Sequence, residues 1–318
     1  MNYLQIIIKN KRIILILLLI SIISLLLHVL SQERFVPYNI QETIIHRNIE
    51  GKNKYFIYGT FTIKSQCFLN PTTKGMYIVP VNSKGKVLEE TKNILFYAPF
   101  NGEDGATAYE RYAWLKVFAE QHNFAIFSLR IKADTYSTNE KSKYYIYKEA
   151  GWFSGIFKIQ YFLQKRFNLT KNKLCAIGQS SGCSMIQRMV VEMPDKFAVA
   201  AGHGGSRFSP YIPNQKFPPF ILSSTVGDNT NMQNRENYVA ATKANIKLWY
   251  METHPINNKD LHSASNDVFR VLTAFILSAV DTNSEEKDIF IRKFENMPLF
   301  QYPLKKNKKL APQIDQSL

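Results

Sequence analysis

A serine set between two glycines is the feature of this sequence best suited to nucleophilic chemistry. The segment Gly178-Gln179-Ser180-Ser181-Gly182 follows the apolar run Leu174 to Gly178 and precedes a helical pattern from Gly182 to Met193. Flanking glycines let the backbone turn sharply from a strand into a helix, and such a turn presents the serine Oγ at the edge of a sheet. The spacing predicts Ser180 as a nucleophile. The alternative is an ordinary serine-rich helix cap.

A serine nucleophile requires a base, and three of the six histidines lie where a base is needed. His262 follows the last predicted strand and precedes the last predicted helix, so it is the first choice. His254 is the second choice and would otherwise be a residue at a strand end. His203, between Gly202 and Gly204, is the third choice and would otherwise line the site or support the structure.

An acid must orient the base, and Asp228 has the position for it. It follows the predicted strand from Phe220 to Thr225, at the carboxyl edge of a parallel sheet, where the alternative role is to stabilise its own turn. The chain order Ser180, Asp228, His262 separates this arrangement from the two other common serine triads. The fallback acids are Glu252 and Asp260.

Two backbone N–H groups would stabilise the negative charge that develops on a substrate carbonyl. One is expected from Ser181, at the start of the helix after the nucleophile, and one from the loop after the strand Asn93 to Pro99. Asn101 is the predicted second donor, with Phe100 as the alternative. No spacing of clustered ligands indicates a metal, and no cofactor is predicted.

Apolar strands alternating with helices indicate an α/β fold in which helices cover both faces of a mostly parallel sheet. Eight strands are predicted, the first two as an antiparallel hairpin: Tyr55–Ile63, Met76–Val81, Asn93–Pro99, Phe124–Arg130, Leu174–Gly178, Phe197–Ala201, Phe220–Thr225 and Ile246–Glu252. The predicted helices are Thr107–His122, Tyr144–Phe167, Gly182–Met193, Met232–Ala244 and Asn266–Val280. The short stretch between the sixth and seventh strands leaves no room for a large cap domain.

The N-terminus has the pattern of an export signal. Lys9, Lys11 and Arg12 precede the apolar run Ile13 to Leu30, which predicts a signal peptide or a signal anchor over residues 1–31 rather than a buried helix. Everything after residue 31 would lie outside the cytoplasm, as a secreted protein or one held to the membrane by an uncleaved helix. The predicted parts are a linker over 32–50, the domain over 51–300 and a basic, disordered tail over 301–318.

Composition excludes some classes of protein and leaves others open. The formal net charge is +15, but no nucleic-acid motif accompanies it, so no nucleic-acid partner is predicted. Three cysteines do not form a disulfide framework. Cys175 and Cys183 are expected to be buried thiols, with a disulfide between them as the alternative.

Four segments together resemble the polyhydroxybutyrate-depolymerase and feruloyl-esterase group of secreted α/β-hydrolases. These segments are GEDGAT at 102–107, GWF at 151–153, GQSSGCSM at 178–185 and MPDKFA at 193–198. The similarity spans residues 90 to 280 and implies an eight-stranded α/β-hydrolase fold and the hydrolysis of acyl, aryl or polymeric esters. The group usually has His-Gly where this chain has Pro99-Phe100, and Gly-Gly where it has Gly182-Cys183.

The sequence therefore predicts a serine ester hydrolase that works through an acyl-enzyme on small-molecule or polymeric esters. Two alternatives remain open: a peptidase or acyltransferase with the same machinery, and a non-catalytic surface protein that binds a glycan, a lipid or a partner. Aromatic side chains are expected to line an open site: Phe208, Tyr211, Trp152 and the Tyr144–Tyr147 cluster, with packing as the favoured role for Trp152.

Overall fold

The computed structural model describes residues 13–24, 36–64, 72–130, 146–148, 151–253 and 266–281. One nine-stranded sheet is its main element. The strands are β1 (Tyr38–Ile49), β2 (Lys52–Lys64), β3 (Thr72–Val81), β4 (Ile94–Ala98), β5 (Ala125–Leu129), β6 (Leu174–Gln179), β7 (Phe197–His203), β8 (Phe220–Thr225) and β9 (Trp249–Thr253). The helices are α1 (residues 13–24), α2 (Gly105–Arg111), α3 (Ala113–Glu120), α4 (Trp152–Phe167), α5 (Ser181–Glu192), α6 (Asn231–Lys243) and α7 (Asn266–Asp281).

The strand order places the candidate site where the connections change direction. The order across the sheet is β1-β2-β3-β5-β4-β6-β7-β8-β9. Strands β1 to β3 are antiparallel to their neighbours, and the pairs from β5 to β9 are parallel. The chain leaves β4 to form β5 on one side and β6 on the other. The carboxyl ends of β4 and β6 therefore flank a topological switch point, the usual place for a ligand in such sheets.

Helices cover both faces of the sheet, as a doubly wound fold requires. Alternate residues of each strand enter opposite cores because successive side chains of a strand point to opposite faces. On β4, Phe96 packs in the core beneath α4 and α5, whereas Tyr97 packs in the core beneath α3 and α7. The predicted mostly parallel, doubly wound sheet is confirmed. The stretch 204–219 between β7 and β8 holds neither helix nor strand, which agrees with the absence of a large cap there.

The sheet has nine strands rather than the predicted eight because Tyr38–Ile49 forms β1. The linker predicted over 32–50 is therefore wrong across this range, which pairs with β2 along most of its length. Polar residues such as Gln41, Glu42 and Thr43 lie in the middle of β1, and most of its side chains are exposed. An edge strand that buries so little surface lacks the alternating apolar pattern by which strands are recognised.

The helix predicted over Thr107–His122 is divided into α2 and α3 at Tyr112. Tyr112 has an extended backbone, with φ −96° and ψ 105°, and is both the C-cap of α2 and the N-cap of α3. No proline or glycine marks this break in the sequence. The break turns the Tyr112 side chain towards the loop that follows β4.

The apolar N-terminal segment includes helix α1. Its Ile and Leu side chains are exposed, with fractions between 48% and 69%, which does not agree with a buried core helix. Over the described ranges, no helix combines the length and the apolar character needed to cross a membrane. The tail predicted over 301–318 lies outside the described residues.

Candidate active site

Ser180 occupies a strained turn between β6 and α5. Its backbone has φ 54° and ψ −123°, a conformation that residues with a side chain rarely adopt. The Ser180 N–H donates to the His203 carbonyl oxygen over 2.8 Å, which ties the turn to the neighbouring strand β7. The turn follows the carboxyl end of a parallel strand, and α5 begins at the next residue. This is the strand–turn–helix setting that the sequence predicted for the nucleophile.

The two glycines of the motif are required by close backbone contacts. A Cβ at Gly182 would lie 2.0 Å from the Ala98 carbonyl oxygen, and a Cβ at Gly178 would lie 2.6 Å from the Gly182 carbonyl carbon. Neither distance is compatible with a side chain. The first contact also shows that the start of α5 lies directly against the end of β4.

Cys183 stands where the family that the sequence resembles usually has the second glycine of a Gly-Gly pair, and its contacts explain the difference. Its Sγ fills the space beside two glycines: a Cβ would lie 2.3 Å from that sulfur at Gly202 and 2.6 Å from it at Gly205. Burial raises the pKa of the Cys183 thiol to about 12, so it stays protonated and packs as an apolar group. Cys175 is likewise a buried free thiol, which confirms the predicted state of both cysteines.

The loop after β4 lies beside the nucleophile because β4 and β6 are neighbouring strands, with Ala98 paired to Gly178. The Glu103 N–H donates to the Phe100 carbonyl oxygen over 3.1 Å and closes a tight turn. Gly102, the third residue of that turn, has φ 85°. Asn101, the predicted oxyanion donor, therefore lies in an ordered turn next to the strand that carries Ser180, while the Ser181 N–H belongs to the first turn of α5.

Glu103 is a buried carboxylate in this same turn, and sequence reasoning did not single it out. Its side chain accepts a hydrogen bond from the Tyr97 hydroxyl at 2.7 Å and another from the Tyr112 hydroxyl at 2.9 Å. Burial raises the pKa of the Glu103 carboxyl, although these two hydrogen bonds oppose the shift. The residue is part of the quoted GEDGAT segment, but nothing in its spacing predicts burial.

Asp228 lies in the turn after β8, where the sequence placed the acid. Asp228 is buried, with 7% of its surface exposed, and its carboxylate is held by Thr230, two residues further along the chain. Oδ2 accepts from the Thr230 hydroxyl at 2.7 Å, and Oδ1 accepts from the Thr230 N–H at 3.2 Å. Strand β7 separates β8 from β6, so the strand ends before Asp228 and Ser180 are about 10 Å apart. One further side chain is needed to connect them.

The first-choice and second-choice bases lie outside the described residues. His262 and His254, together with the fallback acid Asp260, belong to residues 254–265, between β9 and α7. Thr253, the last described residue before that stretch, lies beside the acid turn, because the Val226 N–H donates to its carbonyl oxygen over 2.8 Å. The assignment of His262 as base remains a prediction.

His203 has the surroundings of a structural residue. It is the last residue of β7 and is fully buried. Its Nδ1 lies 2.9 Å from the Ser223 Oγ on β8, and that hydroxyl also donates to the Gly202 carbonyl oxygen at 3.3 Å. These contacts favour the alternative in which His203 supports the sheet edge between the nucleophile and the acid.

Glu252, the other fallback acid, is the centre of a buried polar network at the end of β9. It accepts hydrogen bonds from the Arg235 guanidinium, the Tyr250 hydroxyl at 2.8 Å and the Asn231 amide at 3.0 Å. Burial acts to raise the pKa of Glu252, but hydrogen bonds from Arg235, Tyr250 and Asn231 outweigh it and hold the pKa below its usual value. With these partners Glu252 supports the start of α6, which follows the Asp228 turn.

The aromatic residues expected to line the site have mixed positions. Trp152 is buried in the core at the start of α4, as its favoured packing role predicted. Tyr211 is also largely buried, and its hydroxyl accepts from the Asn237 amide at 3.0 Å, so it packs rather than lines an open site. Phe208 is half-buried. Tyr147 lies under the Arg188 guanidinium at 4.2 Å, and Tyr144 is outside the described residues.

Over the described ranges, no group of three or more His, Cys, Asp or Glu side chains is arranged to hold a metal ion. What this part of the chain does assemble is a serine turn at the carboxyl end of β6, two candidate N–H donors beside it and a buried carboxylate two strands further along, after β8. The arrangement suits the attack of an oxygen nucleophile on a carbonyl carbon.

Comparison with known proteins identifies the fold. No protein-family model and no curated protein matches the chain. Among solved structures, it is similar to FphF, a fluorophosphonate-binding serine hydrolase of Staphylococcus aureus, with 14% identity, a TM-score of 0.52 and coverage of 71% of this chain and 98% of that one. A ferulic acid esterase matches with 13% identity, a TM-score of 0.51 and coverage of 76% and 100%.

A third similar structure is the rice cell wall degrading esterase LipA from Xanthomonas oryzae. It matches with 8% identity, a TM-score of 0.52 and coverage of 80% of this chain and 99% of that one. Likeness at such low identity concerns the path of the backbone rather than the substrate. The chain therefore has the α/β-hydrolase fold, as do these serine hydrolases and esterases.

Proposed function

We propose that this protein is a serine ester hydrolase that works through an acyl-enzyme. The observation that carries the proposal is the Ser180 turn: a serine with positive φ, between glycines that have no room for a Cβ, at the start of a helix and against the loop after β4. A structure gains no stability from holding a serine in this conformation, and such strain is typical of functional residues.

The reaction begins when the Ser180 Oγ attacks the ester carbonyl carbon and His262 takes the hydroxyl proton. The carbonyl oxygen gains negative charge, and the N–H groups of Ser181 and Asn101 stabilise it. As the tetrahedral intermediate collapses, the alcohol leaves with the proton from His262. Water, activated by the same base, then attacks the acyl-enzyme, releases the carboxylic acid and returns Ser180 to its free form.

Asp228 is assigned to the orientation of His262. A buried carboxylate that accepts from the second ring nitrogen fixes the tautomer in which the other nitrogen can take the serine proton. The Thr230 hydroxyl and N–H hold the Asp228 carboxylate, and the Val226–Thr253 hydrogen bond keeps Thr253, which precedes the histidine-bearing stretch in the chain, beside the same turn. These contacts support the order Ser180, Asp228, His262.

The substrate class is proposed from the names of the similar structures. Two of the similar structures are named as esterases, one for ferulic acid and one that degrades a plant cell wall, and a third is named as binding a fluorophosphonate. We therefore propose small-molecule or polymeric esters as substrates. Transfer to a peptide or to an alcohol acceptor uses the same machinery and is distinguished by assay with amide substrates and added alcohols.

Fluorophosphonate labelling of the full-length protein tests the nucleophile. We expect the parent to be labelled on Ser180 and both Ser180→Ala and His262→Ala to lose the label. Ser154→Ala and His46→Ala remove an exposed serine and an exposed histidine elsewhere and should label like the parent. A folded parent that takes no label would overturn the hydrolase proposal and favour a binding protein with a hydrolase scaffold.

We also propose that the domain lies outside the cytoplasm, secreted or held by its N-terminal segment. The basic flank at Lys9 to Arg12 and the exposed apolar side chains of α1 support this. After expression of the full chain, a mass that begins at Gln32 would indicate cleavage, and an intact mass in the membrane fraction would indicate an anchor. Intact protein in the soluble cytoplasmic fraction would contradict both.

A further inference from the structure

The turn that carries the second oxyanion donor contains a carboxylate whose position stability alone does not explain. Glu103 has 6% of its surface exposed, and no ion pair to it is found in the described part of the chain. Its partners are two neutral hydroxyls, those of Tyr97 and Tyr112. Burial is the largest effect on the pKa of Glu103 and raises it, although the two hydroxyls and the charge of Arg111 act to lower it. Burial of this carboxylate therefore costs free energy, and such groups concentrate at functional sites.

The backbone and the side chain of Glu103 both hold the same turn. Its backbone N–H closes the turn by donating to the Phe100 carbonyl oxygen, and its side chain anchors the turn to a core strand through Tyr97 of β4. Asn101 and Gly102 are the two residues between these contacts. Glu103 therefore closes and anchors the turn in which the Asn101 N–H lies.

The second anchor, Tyr112, is itself fixed. It is the single extended residue between α2 and α3, so the helix break places its hydroxyl at Glu103. Its ring stacks on Trp114 with centroids 5.7 Å apart, and Trp114 stacks on Phe269 at 4.2 Å with planes 5° apart. Phe269 lies in the first turn of α7, which follows the stretch that contains His262.

We infer that Glu103 is a positioning residue for the oxyanion hole: it holds the Phe100–Glu103 turn through Tyr97 and Tyr112 so that the Asn101 N–H faces the developing negative charge. The inference rests on the proposed ester hydrolysis. A donor that must meet an oxyanion at about 3 Å tolerates little movement, and loss of one such donor slows subtilisin by about 100- to 1,000-fold. A donor that is loosened rather than removed should lose less.

Hydrolysis of p-nitrophenyl acetate by the full-length protein provides the test. We expect Glu103→Ala to lower kcat by about 10- to 100-fold while KM changes by less than about threefold, because the turn acts on the transition state more than on ground-state binding. Glu103→Gln keeps an oxygen that accepts from one tyrosine and should recover most of the rate. Tyr112→Phe removes one anchor and should give an intermediate loss.

Glu120→Ala is the matched control. Glu120 also accepts from a buried tyrosine, Tyr109, at 3.3 Å, but it lies at the end of α3, before the amino end of β5 and away from the turn. We expect its kcat to match that of the parent. Equal kcat for Glu103→Ala and Glu120→Ala, or a loss for Glu103→Ala that appears only in KM, would overturn the inference. A parent that neither hydrolyses the ester nor takes a fluorophosphonate label would instead overturn the proposed function.

If Glu103→Ala fails to fold, Tyr112→Phe tests the inference in its place. This substitution nearly keeps the volume of the side chain, and thermal unfolding shows whether the variant is folded. A folded Tyr112→Phe with the kcat of the parent would show that the side-chain anchor does not set the rate.

Discussion

Two turns at the same edge of the sheet, after β6 and after β8, are held in place by different means. The Ser180 turn is fixed by backbone contacts: its glycines approach the Ala98 carbonyl oxygen and the start of α5 so closely that no Cβ fits. The Asp228 turn is closed by the hydrogen bond from the Asp228 N–H to the Thr225 carbonyl oxygen, and polar side chains add to it: the Asp228 carboxylate accepts from Thr230, and the Glu252 network holds the start of α6. We therefore expect a substitution in the Ser180 turn to abolish labelling and lower stability strongly, and a substitution around the Asp228 turn to lower stability or rate only in part.

The largest effect is expected from Gly182→Ala. The added Cβ would meet the Ala98 carbonyl oxygen at 2.0 Å, and backbone on both sides must shift to relieve the clash. We expect the free energy of unfolding to fall by about 3 kcal/mol or more and fluorophosphonate labelling to be lost. Denaturant unfolding and labelling measure the two effects.

Gly51→Ala serves as the control for that variant. Gly51 has φ 75°, but its added Cβ would meet nothing within 4 Å, so only backbone strain of about 1 kcal/mol is expected, with labelling unchanged. Parent-like stability and labelling of Gly182→Ala would show that the turn can move, and the contrast between the two turns would disappear.

The same contrast explains what the sequence could predict. A turn fixed by backbone contacts requires glycines at set positions, so the Ser180 turn could be predicted from Gly178 and Gly182 with the apolar run before them and the helical pattern after them. Asp228 was predicted from its place after a strand. The polar networks left no such pattern. The sequence analysis considered Glu252 only as a fallback acid. Its hydrogen bonds with Arg235 and Asn231 could not be predicted, because these residues come together only in the folded chain.

Two errors in the predicted elements have a similar cause. The strand β1 buries little surface, so Tyr38–Ile49 has no regular apolar alternation and looked like a linker. The break between α2 and α3 has no local signal, because no proline or glycine marks it; at the break, the Tyr112 hydroxyl donates to Glu103, which lies before α2. Tertiary contacts decide such positions, and periodicity does not report them.

An intermediate effect is expected at the Glu252 network. Arg235→Met leaves the buried Glu252 carboxylate without its cation, and we expect the free energy of unfolding to fall by about 2–3 kcal/mol at pH 7. Because the fold lowers the pKa of Glu252, its stabilising contribution is complete above the unfolded pKa of about 4.5 and is lost as the pH falls through the lower folded value. The difference between parent and variant should therefore narrow at acid pH, as measured by urea unfolding.

Lys243→Met is the control for this measurement, because it removes an exposed positive charge from the last turn of the same helix, α6. Its stability should stay within about 0.5 kcal/mol of the parent. A deficit for Arg235→Met that does not change with pH would assign the loss to packing of the side chain rather than to the ion pair.

The smallest effect is expected from Thr230→Val, which keeps the shape of the side chain and the backbone N–H but removes the hydroxyl that donates to Asp228 Oδ2 at 2.7 Å. One hydrogen bond to a carboxylate is lost, so we expect the free energy of unfolding to fall by about 1 kcal/mol. The carboxylate that orients the base also gains freedom, and kcat for p-nitrophenyl acetate should fall by about fivefold with KM unchanged. Thr230→Ser keeps the hydroxyl and should recover the rate. If Thr230→Val lost stability but kept the kcat of the parent, the hydroxyl would hold the turn without orienting Asp228.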